Sequence, residues 1–232
     1  MKISFEKWSP NLESSGQTSK PVWTKLLLDG SIICNSVEQV DWITQPVQVE
    51  ICEFCGISEC NSNGYVSISR IMNNIIWTEP SLREVSYKTT GYCLTNKKPI
   101  IFCQNDWEQI FSRFESFVSF NEVEKAKKWQ ILSFAFLQSP ICGIQNINNY
   151  YDKISNEIIY IDGIELEHFY KILGNALDPE QLEYIIPESD IYIFDDSFHN
   201  ITLFFSNGDE WSSFCLKDDF LFIKIDDIAV KV

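Results

Sequence analysis

Apolar and polar positions alternate in short runs through the first hundred residues, and turn residues separate the runs. Residues 22–28 and 31–34 flank Asp29-Gly30, whose glycine supplies the positive φ of a tight turn, so the spacing predicts a hairpin. Residues 47–52 read as another extended run. In 65–71 the alternation is strict, with Val66 and Ile68 on one face and Ser67 and Ser69 on the other. Asn73-Asn74 then precedes Ile75-Ile76-Trp77, which predicts a second hairpin, and 99–103 reads as a further strand.

The period then changes from two to between three and four. Trp107, Ile110, Phe111, Phe114, Phe117 and Val118 form one apolar stripe after Asn105, with Glu108 three residues on, as in a capping box. Asn121 and Glu124 repeat the device before a helix over 123–137, which is apolar nearly all round from Trp129 onward and is therefore expected at the centre of a core. Ser139-Pro140 ends it. Asp162 and Glu165 predict the start of a third helix with Leu166, Phe169, Tyr170 and Leu173 facing inward and Gly174 ending it. Asp178-Pro179 predicts a short fourth helix stopping before Pro187. Four strands follow, at 191–194, 201–205, 211–216 and 220–225, with Asn207-Gly208 as a hairpin signal. Strands and helices are segregated, so the fold class is α+β: N-terminal antiparallel hairpins, central helices and a C-terminal antiparallel β-meander. The polar stretch 145–149 is the expected boundary between segments 1–144 and 145–232, which together form one continuous domain or two closely packed ones.

Composition narrows the functional classes. The 232 residues are 45% hydrophobic and include 17 Phe, 9 Tyr and 7 Trp, which excludes a disordered chain. No run reaches 18 apolar residues, and the first eight positions lack the apolar stretch of a secretion signal, so a soluble cytoplasmic protein is expected. The charge is uneven. Residues 1–150 hold 15 acidic and 13 basic side chains, whereas 151–232 hold 18 and 5, a net of −13 in the total of −15. Such a field repels nucleic acid and anionic lipid and attracts a basic protein partner. Acidic surface also serves solubility.

Eight cysteines in a chain without a secretion signal are expected to be reduced, buried or metal-bound. The most specific spacing is Cys52-Glu53-Phe54-Cys55-Gly56 followed by Cys60. Two cysteines three apart around a tight turn can direct both thiolates at one tetrahedral Zn²⁺, with Cys60 as a third ligand, but no second C-x2-C exists and a fourth ligand would have to be Cys34 or Cys93 from a separate strand. The missing fourth ligand favours the other reading, in which cysteine is a small buried hydrophobe and the chain carries no cofactor. A thioredoxin-like role fits less well, because that motif needs a helix start in a βαβ setting. The stretch Cys52-x2-Cys55-Gly56, Cys60, Gly64-Tyr65-Val66, Arg70 and Trp77-x2-Pro80 resembles a family of uncharacterised bacterial proteins of similar size, from which it departs at Asn63, where the pattern has a glycine. The resemblance implies a bacterial, cytosolic origin and carries over no catalytic residue.

An up-and-down meander in chain order places Asp195, Asp196 and His199 in one turn and Asp218 and Asp219 in another at the same end, with Asp209, Glu210, Asp226 and Asp227 at the opposite end. Asp195, Asp196, His199, Asp218 and Asp219 are thus a candidate rim for Mg²⁺, Mn²⁺ or Ca²⁺. Solvated turn aspartates are the simpler reading. His168, at helical spacing between Ile164 and Ile172, reads as a half-buried helix residue. Ser197, His199 and Asp196 have the residue types of a hydrolytic triad but crowd into one turn. The sequence contains no G-x-S-x-G, P-loop, G-x-G-x-x-G or H-E-x-x-H. These features favour a non-enzymatic protein that binds a basic partner through Asp195, Asp196, Asp209, Glu210, Asp218 and Asp219, immunity-like toward a basic toxin. The alternative is a divalent-metal-dependent enzyme or ligand-binding protein using the aspartate rim.

Overall fold

The computed structural model describes residues 1–10, 21–58, 60, 64–78, 80, 99–136, 158–161, 166–178, 180–205 and 210–232. The chain divides into two compact units, Met1–Glu124 and Lys125–Val232. The polar stretch 145–149 lies outside the described residues.

In the N-terminal unit, β1 (Ile3–Trp8), β2 (Trp23–Leu28) and β3 (Ser31–Cys34) form an antiparallel sheet in chain order. Asp29 and Gly30 turn the β2–β3 hairpin with φ of 48° and 86°, as their residue types require. A second antiparallel sheet holds β4 (Val47–Gln48), β5 (Tyr65–Ile71), β6 (Asn74–Thr78) and β7 (Ile100–Cys103), again in order. The β5–β6 turn is Met72-Asn73, one place earlier than Asn73-Asn74, and Met72 takes the left-handed conformation at φ 48°. β4 is shorter than the expected run 47–52, because Val49 O and both backbone groups of Ile51 bond to Asn35. The alternation in β5 does not mark a solvent face: Ser67 and Ser69 are buried along with Val66 and Ile68.

Helix α1 (Gln104–Phe111) starts one residue before Asn105, and its N-cap, Cys103, makes no side-chain cap. The expected Asn105–Glu108 capping box is therefore absent. A capping box does form at Ser119 and Glu122, around the 3₁₀ turn Phe120–Glu122. α1 also ends early, at Phe111, and successive turns carry Phe117 and Val118 into the core. That core joins Trp23, Leu26 and Ile33 of the first sheet to Val66, Ile68, Trp77 and Phe102 of the second.

Glu38, in the 3₁₀ turn Val37–Gln39, ties the turn to the first sheet. Its carboxylate accepts bonds from the Thr24 amide (2.8 Å), the Thr24 hydroxyl and Lys7 Nζ (3.2 Å). Burial raises its pKa, but these hydrogen bonds outweigh that and leave it below the ordinary carboxylate value. A depressed folded pKa adds stability that is present above the unfolded value and is lost as pH falls through the folded one. Glu38→Gln is therefore expected to be less stable than the native chain near neutrality and to converge with it in acid. Urea midpoints measured across the carboxylate range check this, and a gap that persists or widens in acid contradicts it.

In the C-terminal unit, helix α2 (Lys128–Phe136) begins five residues after the expected start. The preceding residues are extended and pair with another segment: Lys127 bridges Ile185, Ile186 N–H donates to Ala126, and Lys128 N–H donates to Tyr184. Asn121 and Glu124 thus cap nothing in α2. As expected for a core helix, Ile131, Leu132, Phe134 and Ala135 are buried; residue 137 lies outside the described residues. β8 (Ile158–Ile161) is followed by α3 (Leu166–Ala176), which runs through Gly174 instead of ending there. The expected start signal at 162–165 lies outside the described residues. The segment expected as a fourth helix is turn at 180–183.

The strands β9 (Ile191–Ile193), β10 (His199–Phe205), β11 (Glu210–Lys217), β12 (Phe220–Ile225) and β13 (Ile228–Lys231) join β8 in one antiparallel sheet of order β8-β10-β11-β12-β13-β9. The expected four-strand meander is corrected in two respects: β8 and β13 also belong to the sheet, and β9 pairs with β13, at the far edge from β10. α3 packs Phe169 on Phe214 of β11. Among the described residues no helix is long and apolar enough to cross a membrane.

Candidate metal centre

The loop that holds the cysteines is anchored at both ends by the N-terminal unit. Buried Asn35 donates Nδ2–H to Ile51 O (2.8 Å) and accepts Ile51 N–H at Oδ1 (2.9 Å), and its own amide donates to Val49 O. Val49 and Ile51 point into the core, so the chain enters the loop in a fixed register. At the other end Gly64 O accepts Val49 N–H at 2.8 Å. Gly64 has φ +84°, and a Cβ there would lie 2.3 Å from Glu50 Cβ. Only glycine lets the two ends of the loop approach this closely.

Inside the loop, Gly56 N–H donates to Cys52 O (2.9 Å), and Gly56 takes φ +69°. This turn folds Cys55 back toward Cys52. The sulfurs of Cys52, Cys55 and Cys60 lie within 4.8 Å of one another, and the three are the one group of this kind among the described residues. Cys52 and Cys55 are half-buried and Cys60 is exposed. Hydrogen bonds from the Cys55 and Phe54 amides to the sulfur lower the Cys52 thiol to about 7, with further help from the neighbouring thiols. Cys60 moves the other way, to about 11, because it donates to Cys55 and Cys52 and faces their charge. Negative charge thus settles on Cys52 before Cys60, and a bound cation favours the thiolate form of its ligands. These three residues can hold a metal ion. Zn–S bonds of about 2.3 Å set tetrahedral sulfurs about 3.8 Å apart, which small side-chain rotations reach from here.

Cys34, one of the two residues that could supply a fourth ligand, is not part of this group. Cys34, on β3, is buried in the core, and burial pushes its thiol up to about 12; residue 93 lies outside the described residues. Cys34 therefore fits the alternative reading of cysteine as a small hydrophobe, as does Cys215.

The aspartate rim has a different arrangement from the one a simple meander gives. Because β9 lies beside β13, Phe194 N–H bonds Asp227 O, and residues 194–198 then cross one face of the sheet to reach β10. Phe198 packs on Phe222, Cys215 and Ala229 during this crossing. Lys217, Lys224 and Lys231 lie on the same face, 4.7, 3.9 and 3.3 Å from the ring centroids of Phe198, Phe194 and Phe220. The pairs Lys217↔Phe220 and Phe222↔Lys231 put them on one face, which no sequence spacing signals. Asp195, Asp196, His199, Asp218 and Asp219 are all exposed, and no three of their ligand atoms form a metal-sized group. Asp195 instead accepts the amide (2.9 Å) and hydroxyl of Ser197, which lowers its pKa. Asp219 pairs with exposed His168 on α3 at 3.4 Å, a contact that the sequence did not suggest. Residue 209 lies outside the described residues, and Glu210 opens β11.

No family model, curated protein or solved structure matches this chain.

Proposed function

We propose that this chain acts by binding a basic protein partner through the acidic turns of its C-terminal unit, in an immunity-like role in which carboxylates cover the cationic surface of a toxin. The observation that supports this reading is the exposure of Asp195, Asp196, Asp218 and Asp219 in a segment of net −13. Lys217 is a cation close enough to act on Asp195, and the four exposed carboxylates of these turns outnumber it. In the same reading Cys52, Cys55 and Cys60 hold one structural Zn²⁺ that orders the loop between Ile51 and Gly64.

Long-range attraction of this kind accelerates association and weakens as salt shortens the Debye length, from roughly 10 Å at 0.1 M to 3 Å at 1 M. The test is the variant with Asp195, Asp196, Asp218 and Asp219 all replaced by Asn. Asp218 and Asp219 have φ of 51° and 63°, a conformation that Asn tolerates, so the fold is expected to persist. Stopped-flow association with the basic partner isolated from the source cells should be slower for the variant and less dependent on salt. An association rate indifferent to both salt and substitution assigns these carboxylates to solubility alone.

A further inference from the structure

We propose that the three-cysteine centre releases its metal on oxidation: a peroxide joins Cys52 to Cys55 as a disulfide, and the ion leaves. This inference rests on the zinc reading above and adds the regulation of that site.

The geometry carries three parts of the argument. First, the sulfurs stand within 4.8 Å of one another, and Cys60 is exposed while Cys52 and Cys55 are half-buried, so a small oxidant reaches the cluster. Second, Cys52 and Cys55 belong to one tight turn closed by Gly56 N–H on Cys52 O. Their backbone is already folded back, and bonding the sulfurs needs side-chain rotation and no rearrangement of the strands. Third, the hydrogen bonds of Asn35 with Ile51, and of Val49 with Gly64, hold the ends of the loop without any ligand on sulfur. Loss of the ion is therefore confined to the loop, and the sheets stay folded.

The chemistry balances with hydrogen peroxide as the oxidant. The Cys52 thiolate attacks one peroxide oxygen, the O–O bond breaks, and hydroxide leaves with Cys52 as the sulfenic acid. The Cys55 thiolate then attacks the Cys52 sulfur, the S–S bond forms, and a second hydroxide departs. Two protons convert the hydroxides to water, so two thiolates lose two electrons and one peroxide gains them. A Zn²⁺ left with only Cys60 of the three thiolates dissociates. A dithiol reductant reverses the process.

Zinc content is measured first on the reduced full-length protein, and the loaded protein then receives hydrogen peroxide in the presence of a colorimetric zinc indicator. Cleavage after glutamate separates the cysteines, because Glu53 lies between Cys52 and Cys55 and Glu59 precedes Cys60. Mass spectrometry should find residues 51–53 joined to 54–59, with zinc release tracking the joined fraction and reversal by dithiothreitol. Cys60→Ser should still form this link, and Cys55→Ser should not. Loaded zinc retained under peroxide, or released without the Cys52–Cys55 link, overturns this inference and leaves the zinc reading standing. Reduced protein that takes up no zinc overturns both.

Discussion

Replacing Trp107 with alanine is expected to cost the N-terminal unit about 3 to 5 kcal/mol of folding stability, the range for truncating a large buried aromatic side chain. Trp107 has no exposed surface, and its ring meets Phe117 at 4.6 Å, Phe102 at 5.6 Å and Trp77 at 6.4 Å between centroids. Its indole N–H also donates to Val118 O at 2.9 Å, a buried bond that ties the chain beyond α1 back to the helix. Alanine removes the ring and leaves that carbonyl without its donor, and the two losses add to each other. Whole domains are stable by about 5 to 15 kcal/mol, so this substitution removes a large share of the total. Urea unfolding under reducing conditions, followed by circular dichroism, measures the effect. A loss under about 1 kcal/mol contradicts the aromatic core described here.

Leu132→Ala is expected to destabilise the C-terminal unit by about 2 to 5 kcal/mol. Leu132 and Ile131 are fully buried in α2, and Phe134 and Ala135 nearly so, which leaves this helix almost no polar face. Truncating a side chain with no exposed surface loses its transfer energy and leaves a cavity besides. The corresponding control is Tyr184→Ala, at a side chain 66% exposed, for which the midpoint should hardly move. Equal small effects at both positions would mean that α2 does not centre the core of its unit.

Local signals in the sequence were most readable where a single residue type has a single physical use. Asp29-Gly30 turns a hairpin because of its positive φ, and the apolar run from Trp129 makes a buried helix because no face of it tolerates water. The cysteine cluster was legible in part, since a C-x2-C turn with a third cysteine five residues on brings three sulfurs within 4.8 Å of one another. Helix starts were less legible. Asn105 and Asn121 look like caps, but a short polar side chain caps only if the backbone has already turned, and at 126–128 pairing with the segment around Ile185 won instead. The order of the C-terminal sheet was not readable at all. β9 joins β13 through contacts more than thirty residues apart, and no turn signal in the sequence encodes such a pairing. That one pairing moves Asp195 and Asp196 from a simple turn onto a segment crossing the sheet. Asn35 and Gly64, which fix the cysteine loop, have no local signature, because their roles depend on chain segments distant in sequence.

The metal centre is the claim on which the ordering of the loop and its response to peroxide both depend. Its most direct test is elemental analysis with zinc-edge X-ray absorption on protein purified and kept under reducing conditions. The account predicts about one equivalent of zinc with sulfur ligands near 2.3 Å, and loss of that signal in the variant with Cys52, Cys55 and Cys60 all replaced by serine. Reduced native protein with no zinc above the level of the triple variant, or zinc bound without sulfur ligands, would contradict it.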